Sequence, residues 1–310
     1  MTRVTSQPAP PAADNTPPRC LTIDVEEYFH IEAAHGRIPR SAWNDWPSRV
    51  QGNIDLLLQL LNRHNCRATF FILGDVARRT PLLAPRIAAA GHEIASHGTN
   101  HDRLHRLDPA SFAEDLRTSK HLLEDQTGQS VIGYRAPTFS VTPDTAWALD
   151  VLIEQGFAYD SSIFPVYHPA YGVPSAPAAP YRVRGSEGGG TLLEVPPLTW
   201  RVGRKKLAVA GGGYFRLLPL WFMKRGLAQA RRQHRPAVLY FHPWEFDPET
   251  PRMPLSRTGH IRTYTGLRSA AGKLESILRS PGGWTTMRDA IDDFRTMAEH
   301  RDPFDLYRAT

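Results

Sequence analysis

Two histidines in a short polar stretch have the residue type and spacing of a metal site. The stretch ASHGTNH, residues 95–101, places His97 and His101 four positions apart, directly after a short apolar segment. On a helical turn, residues four apart share a face and can reach one point. Imidazole nitrogen suits zinc and its neighbours among the transition metals. Since such a pair is also typical of capping, solvated or core histidines, the chain must supply a third ligand, a base and an acid.

A run of carboxylates near the N-terminus could supply the missing groups. The motif IDVEE contains Asp24, Glu26 and Glu27 at the end of a β-branched run. Side chains alternate along a strand, so Asp24 and Glu26 are expected on one side and Val25 on the other. Two buried carboxylates on one side repel each other unless a cation or a proton lies between them. The pattern therefore predicts a bound cation or a shared proton at this strand end.

The elements that would position these residues alternate between strand and helix. Apolar runs predict strands at 20–25, 67–73, 92–96, 131–137, 157–165, 191–197 and 237–246. Helical spacing and caps predict helices at 49–65, 81–91, 108–128, 142–156, 215–234, 265–279 and 287–299. The Pro- and Gly-rich stretch 165–190 is predicted to be mostly loop. This order favours one α/β domain with a parallel sheet, either open or closed into a barrel, and a loop-rich insertion.

Further polar residues follow other predicted strands. Arg135, Asp160 and His242 come where the fourth, fifth and last strands end. Each has an ordinary explanation: a surface salt bridge for Arg135, an Asx turn for Asp160 and a loop for His242. Because α/β folds carry their chemistry at the carboxyl ends of strands, their joint occurrence there favours a functional site.

Composition limits the class of protein. The chain has 310 residues, a formal charge of +6 and only two cysteines, Cys20 and Cys66, so no disulfide framework is expected. Residues 1–19 lack the apolar run of a secretory signal, and their Pro, Ala, Ser and Thr content predicts a disordered leader. No uninterrupted apolar run reaches the length of a membrane span. These features favour the cytoplasm.

Two surface features remain open at this point. Basic clusters at 204–206 and at Arg231, Arg232 and Arg235 could attract anionic polymers or lipid, although a solvated face is the preferred interpretation. No nucleic-acid-binding motif accompanies them, so no nucleic acid partner is expected. The apolar stretch 207–223 could lie at a membrane interface or form a buried helix.

The ordered motifs resemble those of a known family. TIDVEE, SHGTNH, YRAP, DSSIFP and VLYFHPWE are similar to the motifs of polysaccharide deacetylases, the family 4 carbohydrate esterases with a NodB-homology domain, over residues 20–245. Residues 246–310 resemble the C-terminal extension of deacetylases from exosortase-linked exopolysaccharide loci. The resemblance implies a distorted (β/α) barrel of about seven parallel strands. The extension is expected to pack on the same domain.

The resemblance also implies a metal site with a departure from the usual pattern. The family pairs a base aspartate with an adjacent metal-binding aspartate, but Val25 stands at that adjacent position. We therefore expect Asp24 as base and Glu26, His97 and His101 as ligands, with Glu27 facing the other side. The implied cofactor is a divalent metal, zinc foremost, with cobalt, nickel or manganese as alternatives.

Other site residues follow from the same motifs. The resemblance assigns Arg135 to hold Asp24 ionised, Thr138 to donate its backbone N–H to an oxyanion, and His242 to act as general acid. The family usually has tyrosine where Thr138 stands, so a tyrosine side-chain role is lost here. Candidates for tuning His242 or binding substrate are Asp160, Trp244 and Glu245.

The expected function is N-deacetylation of a sugar in an exopolysaccharide or its lipid-linked precursor. The implied partner is an N-acetylated glycan or lipid-linked oligosaccharide, and peripheral association with the inner membrane face stays open. One alternative is a non-catalytic glycan-binding relative, suggested by the DVE departure at Val25. A second is a small-amide or deformylase-type amidohydrolase on the same fold.

Overall fold

A mainly parallel sheet organises the chain in the computed structural model, which describes residues 16–168 and 170–309. The predicted leader, 1–19, falls mostly outside the described residues, and its last residue begins the first strand. The strands are β1 (Arg19–Val25), β2 (Thr69–Ile72), β3 (Glu93–Ser96), β4 (Gly133–Tyr134), β5 (Tyr159–Asp160), β6 (Tyr181–Arg184), β7 (Leu192–Glu194), β8 (Thr199–Val202), β9 (Lys205–Ala208), β10 (Ala237–Phe241) and β11 (Phe304–Asp305).

Helices cover the outside of the sheet. They are α1 (Val50–Arg63), α2 (Gly74–Arg79), α3 (Leu83–Ala89), α4 (Pro109–Thr127), α5 (Ala148–Glu154), α6 (Gly212–Leu217), α7 (Leu220–Arg232), α8 (Arg257–Tyr264), α9 (Leu267–Leu278) and α10 (Ile291–Glu299). Helix α4 shows why its bounds were predictable. Asp108 accepts a hydrogen bond from the Ser111 backbone, proline opens the helix, and Gly128 ends it at φ +66°.

Seven neighbouring strands run parallel, in the order β10-β1-β2-β3-β4-β5-β7. The segment after β7 returns to β10, where the Leu198 N–H donates to the Val238 carbonyl at 2.9 Å. Gly211 also bridges β10, and a Cβ there would lie 1.6 Å from the Tyr240 carbonyl oxygen. This closure gives a distorted barrel, which confirms the predicted fold class.

Most predicted elements are present, with shorter bounds. The predicted helix at 215–234 is instead two helices, α6 and α7, because Pro219 between them cannot continue a helix. The predicted loop 165–190 contains the strand β6, which pairs antiparallel with β7. Helices α2 and α8, the β8–β9 hairpin and the short strand β11 have no counterpart in the prediction.

The C-terminal part packs against the barrel along its length. Phe294 on α10 is buried with Phe71 and Tyr159, and β11 extends the sheet through β6. The apolar stretch 207–223 spans β9, α6 and the start of α7, and it leaves Leu217 and Trp221 exposed. Within the described ranges, no helix is both long and apolar enough to cross a bilayer.

Candidate active site

The polar residues at the strand ends converge on one cavity of about 170 Å³. It lies at the carboxyl end of the barrel, where parallel strands deliver their last residues to a common edge. The predicted site residues that line it are Asp24, Glu26, His97, His101, Thr138, His242 and Trp244. Phe139, Tyr171 and Tyr240 add aromatic walls.

Three side chains form a candidate metal centre. Glu26, His97 and His101 each offer one ligand atom, and these atoms lie within 4.8 Å of one another. The His101 Nε2 lies 2.8 Å from the Glu26 Oε2, and that carboxylate oxygen is buried without a hydrogen-bond partner among the described residues. A divalent cation fits these residues, because two imidazoles and a carboxylate are the donors zinc favours.

A loop, rather than a helical turn, brings the two histidines together. His97 to His101 form irregular backbone, with Gly98 at φ +75° and His101 at φ +59°. Asp115 on α4 accepts the Thr99 N–H at 3.1 Å, and a Cβ at Gly98 would lie 2.7 Å from that carboxylate. The helical-face argument for the spacing was therefore wrong, although the two rings do meet, at 5.4 Å between centroids.

Hydrogen bonding orients His97 for ligation. Its Nδ1 lies 2.8 Å from the Arg135 carbonyl oxygen, which accepts its proton and leaves Nε2 with a lone pair toward the site. Burial lowers the pKa of His97 to about 4. The ring is therefore neutral at pH 7, as a metal ligand must be.

Glu26 is held by Trp244. The indole Nε1–H donates to the Glu26 Oε1 at 3.0 Å. Burial raises the pKa of the Glu26 carboxyl, but the neighbouring His101 and His242 outweigh burial and hold it below its usual range. Glu26 therefore stays ionised in a site that shields it from solvent.

Glu27 has a separate structural role. Its carboxylate accepts backbone N–H groups from Arg49 and Val50, at 3.0 and 3.2 Å, and the Ser48 hydroxyl. An acidic side chain in this position satisfies the free N–H groups at the start of α1. Of the two glutamates, Glu26 alone faces the histidines.

Asp24 is paired with a fully buried arginine. The Arg135 Nη1 donates to the Asp24 Oδ1 at 2.7 Å and to the Thr22 hydroxyl at 2.6 Å. The other side of the guanidinium donates to the Ser161 carbonyl and hydroxyl, and its plane lies 4.3 Å from the Phe71 ring centre. Such charge-assisted bonds fix the orientation of the Asp24 carboxylate.

His242 is connected to an acidic residue and an arginine behind it. Its Nδ1 lies 3.3 Å from the Glu245 Oε2, whose second oxygen accepts from the Arg216 Nε at 2.8 Å. Burial lowers the pKa of His242, but the nearby Glu26 and Glu245 raise it to about 9. Its Nε2 lies 3.9 Å from the Asp24 Oδ2 and 3.8 Å from the Glu26 Oε1.

Asp160 does not reach this centre in any contact of the described residues. It accepts the Ser162 hydroxyl at 2.5 Å and interacts with Glu194. Burial raises the pKa of both carboxyls. Of the two acidic residues among the predicted candidates, Glu245 contacts His242 and Asp160 does not.

Thr138 adopts a strained backbone at the cavity wall. It has φ +57° and ψ 26°, in the left-handed region, and Phe139 follows at φ +51°. A non-glycine residue in this region costs about 1–3 kcal/mol, and such strain clusters at active sites. The conformation is consistent with a positioned backbone N–H at Thr138.

The sequence-based reasoning missed Arg216 and Glu194. Both are buried and each meets a site residue that was predicted, namely Glu245 and Asp160. The sequence did contain a signal for Arg216, because it is the single charged residue in the apolar stretch 207–223. A charge in such surroundings must have a buried partner.

Two families match the chain. Residues 41–156 match the family described as polysaccharide deacetylase, and residues 161–292 match a domain of unknown function, DUF3473. His97, His101 and Arg135 fall in the first match, whereas His242, Glu245 and Arg216 fall in the second. The candidate site therefore draws on both matched segments and on Asp24 and Glu26, which precede them.

Two curated relatives share part of the sequence. A peptidoglycan deacetylase-like protein of Gibberella zeae is 31% identical over 41% of this chain and 38% of its own length. A chitooligosaccharide deacetylase of a Bradyrhizobium species is 31% identical over 31% of this chain and 42% of its own length. The chain thus spans about two fifths of the length of these two relatives.

Solved structures share the fold. A crystal structure from Mycobacterium smegmatis, assigned to the polysaccharide deacetylases, has a TM-score of 0.65 at 22% identity and covers 98% of this chain and 99% of its own. Puue allantoinase has a TM-score of 0.58 at 17% identity and covers 96% of both chains. At these identities the likeness concerns the fold alone.

Proposed function

We propose that this chain, whose residues 41–156 match the polysaccharide deacetylase family, is a metal-dependent hydrolase. It would remove N-acetyl groups from a sugar of an exopolysaccharide or of its lipid-linked precursor. The observation that carries the proposal is the convergence of Glu26, His97 and His101 within 4.8 Å. This centre lies beside Asp24, whose Oδ1 lies 2.7 Å from the Arg135 Nη1. The names of the relatives support the reaction class.

The donor set defines what a bound ion would contribute. Two imidazoles and one carboxylate leave open positions, as in catalytic rather than structural zinc sites. When bound there, a divalent ion lowers the pKa of a water ligand and polarises an acyl carbonyl. Cobalt, nickel and manganese accept the same donors and remain alternatives to zinc.

The remaining steps belong to the side chains. Asp24 takes a proton from water through Oδ2, the oxygen that Arg135 leaves free, as the water oxygen bonds to the acyl carbon. The Thr138 N–H donates to the carbonyl oxygen as negative charge develops on it. His242 then gives a proton to the amide nitrogen as the C–N bond breaks, which releases acetate and the free amine.

A neighbouring cavity supports a substrate longer than one sugar. A cavity of about 270 Å³ adjoins the catalytic cavity, and His101 and Glu32 line both. Trp43 and Arg40 also line it. An aromatic ring and charged groups beside a reactive centre suit stacking and hydrogen bonding to a second sugar.

Exposed aromatic residues support a substrate presented at a membrane surface. Tyr167 and Trp221 are 84% and 56% exposed. Tyr214 is partly exposed and interacts with Tyr171, which lines the catalytic cavity. Amphipathic rings of this kind suit the headgroup region of a bilayer. We therefore keep the cytoplasmic face of the inner membrane as the proposed place of action.

Acetate release from N-acetylglucosamine oligomers tests the function. Metal-loaded wild type should release acetate, and Asp24→Asn should bind metal but release acetate about a hundred- to ten-thousand-fold more slowly. Binding of oligomers without turnover of any acylated sugar would indicate a glycan-binding relative. Hydrolysis of small amides or formylated sugars, with no acetate from N-acetylated glycans, would indicate an amidohydrolase of another specificity.

A further inference from the structure

A second cavity, of about 390 Å³, lies at the amino end of the barrel, opposite the catalytic centre. The first residues of β1 and β10, helix α7 and the turn at 280–282 surround it. Four basic residues line it: Arg19, Lys224, Arg231 and Arg235. Apolar atoms of Pro17, Leu227, Ala228, Ala237 and Pro281 form much of the remaining wall.

The basic residues of this cavity have no acidic partners among the residues that the structure describes. No aspartate or glutamate is among the described residues that line the cavity. Within the described ranges, none of the four forms an ion pair, whereas arginines elsewhere do, such as Arg49 with Asp247 at 2.8 Å. Surface cations are usually interspersed with carboxylates, so four uncompensated charges around a cavity favour an anionic ligand.

The buried guanidinium group of Arg19 shows the excess of positive charge most directly. Its Nη1 donates to the Pro281 carbonyl at 2.5 Å, and its guanidinium lies 4.2 Å from the Trp284 ring centre. Its Nε is buried without a hydrogen-bond partner among the described residues. Burial lowers the pKa of Arg19, and the charge of Arg231 lowers it further. Repulsion between these guanidinium groups would be relieved by an anion between them.

We propose that this cavity binds the phosphate or pyrophosphate group of an organic molecule. Guanidinium groups present several N–H donors in a planar fork that matches phosphate oxygens. The volume is in the range of small-molecule sites, which leaves room for an organic part against Leu227 and Pro281. The site is separate from the catalytic centre and does not depend on the proposed function.

Two sources share this chemistry: a soluble nucleoside diphosphate and a lipid pyrophosphate headgroup. Calorimetric titration of the full chain with inorganic pyrophosphate tests the anion site itself. UDP and a short-chain alkyl pyrophosphate then test the organic part. Of these two compounds, the one that binds more tightly than inorganic pyrophosphate, and whose binding depends on the basic residues of the cavity, identifies the source.

Matched variants on α7 make the test specific. The double variant Arg231→Gln, Lys224→Gln removes two exposed cavity cations, and we expect pyrophosphate affinity to fall at least about tenfold. Arg232→Gln removes the neighbouring exposed charge, which does not line the cavity. We expect it to change affinity less than about twofold. Thermal unfolding of each variant checks that it remains folded.

The opposite results would overturn the proposal. No pyrophosphate binding at low ionic strength, or an equal loss in Arg232→Gln, would leave only a diffuse basic surface. If UDP and the alkyl pyrophosphate both bind no better than pyrophosphate, the cavity does not recognise an organic part.

Discussion

Two pairs of buried carboxylates lie at strand ends of the same sheet, yet their surroundings differ. Asp24 and Glu26 end β1, where they face Arg135 and three histidines. Asp160 and Glu194 end β5 and β7, where they face each other, the Ser162 hydroxyl and the Ile163 N–H. Arg135 lies between the pairs, since its guanidinium reaches Asp24 on one side and Ser161 on the other.

The difference decides which pair can do chemistry. Burial alone favours the protonated form, and it raises the pKa of both Asp160 and Glu194. At the first pair, cationic neighbours overcome burial and hold the pKa of Glu26 below its usual range. Of the two pairs, the one with cationic neighbours is suited to bind a cation, while the one whose carboxyls have raised pKa values is suited to a structural role.

Removing the charge of Asp24 should have the largest effect. Asp24→Asn keeps the shape of the side chain but cannot accept a proton from water. We expect acetate release to fall about a hundred- to ten-thousand-fold while metal content is unchanged. Steady-state rates and metal analysis on the same preparation measure both.

Asp160→Asn is the matched control for that variant. It removes a carboxylate of the other pair, which lies outside the catalytic cavity. We expect its rate to stay within about tenfold of the wild type. Equal losses in the two variants would mean that the pairs do not differ as we describe.

Weakening the support of Glu26 should lower metal affinity. Trp244→Phe removes the indole N–H that donates to the Glu26 Oε1 but keeps an aromatic ring beside His242. Partners that orient a metal ligand are typically worth about 10- to 100-fold in affinity. Competition with a chelator measures this change. An unchanged affinity would show that Trp244 does not orient the ligand.

The pair of Asp160 and Glu194 should make the free energy of unfolding depend on pH. Folding raises the pKa of Asp160 to about 6, so its stabilising contribution is complete below its ordinary value near 4 and is lost as the pH rises through about 6. Glu194→Gln keeps the acceptor for the Ile163 N–H and can donate to Asp160 at any pH. Relative to the wild type, this variant should gain about 1–2 kcal/mol between pH 4.5 and 7.5.

Urea unfolding at the two pH values measures the free energy of unfolding for both proteins. A difference between wild type and Glu194→Gln that stays constant with pH would contradict the raised pKa values of this pair. Acetate release should change little in this variant, because Glu194 does not line the catalytic cavity.

Local patterns predicted the strand ends well because each signal lies within a few residues. The alternation in IDVEE predicted Asp24 and Glu26 on one side and Glu27 on the other. In the structure the first two line one cavity, and Glu27 accepts N–H groups at the start of α1. Contacts between residues that are distant in the chain could not be predicted in this way. Arg216 meets Glu245 across 29 residues and also donates to the Thr263 carbonyl, a contact that only the closed barrel creates.

The loop that carries His97 and His101 shows a second limit of prediction from sequence. The spacing of His97 and His101 pointed to a shared helical face, yet the loop reaches the same result through Gly98 and a bond to Asp115. Position-specific backbone conformations of this kind depend on tertiary contacts. The spacing predicted that the two rings would meet, as they do, but it did not predict the backbone path between them.

Metal content after identical reloading and gel filtration tests the central claim most directly. Wild type, Glu26→Gln and Glu194→Gln are compared, since each variant neutralises one buried carboxylate of a different pair. We predict a near-stoichiometric divalent metal in the wild type and in Glu194→Gln, and its loss in Glu26→Gln. Metal retained by Glu26→Gln, or none taken up by the wild type, would contradict the claim that Glu26, His97 and His101 form a metal centre.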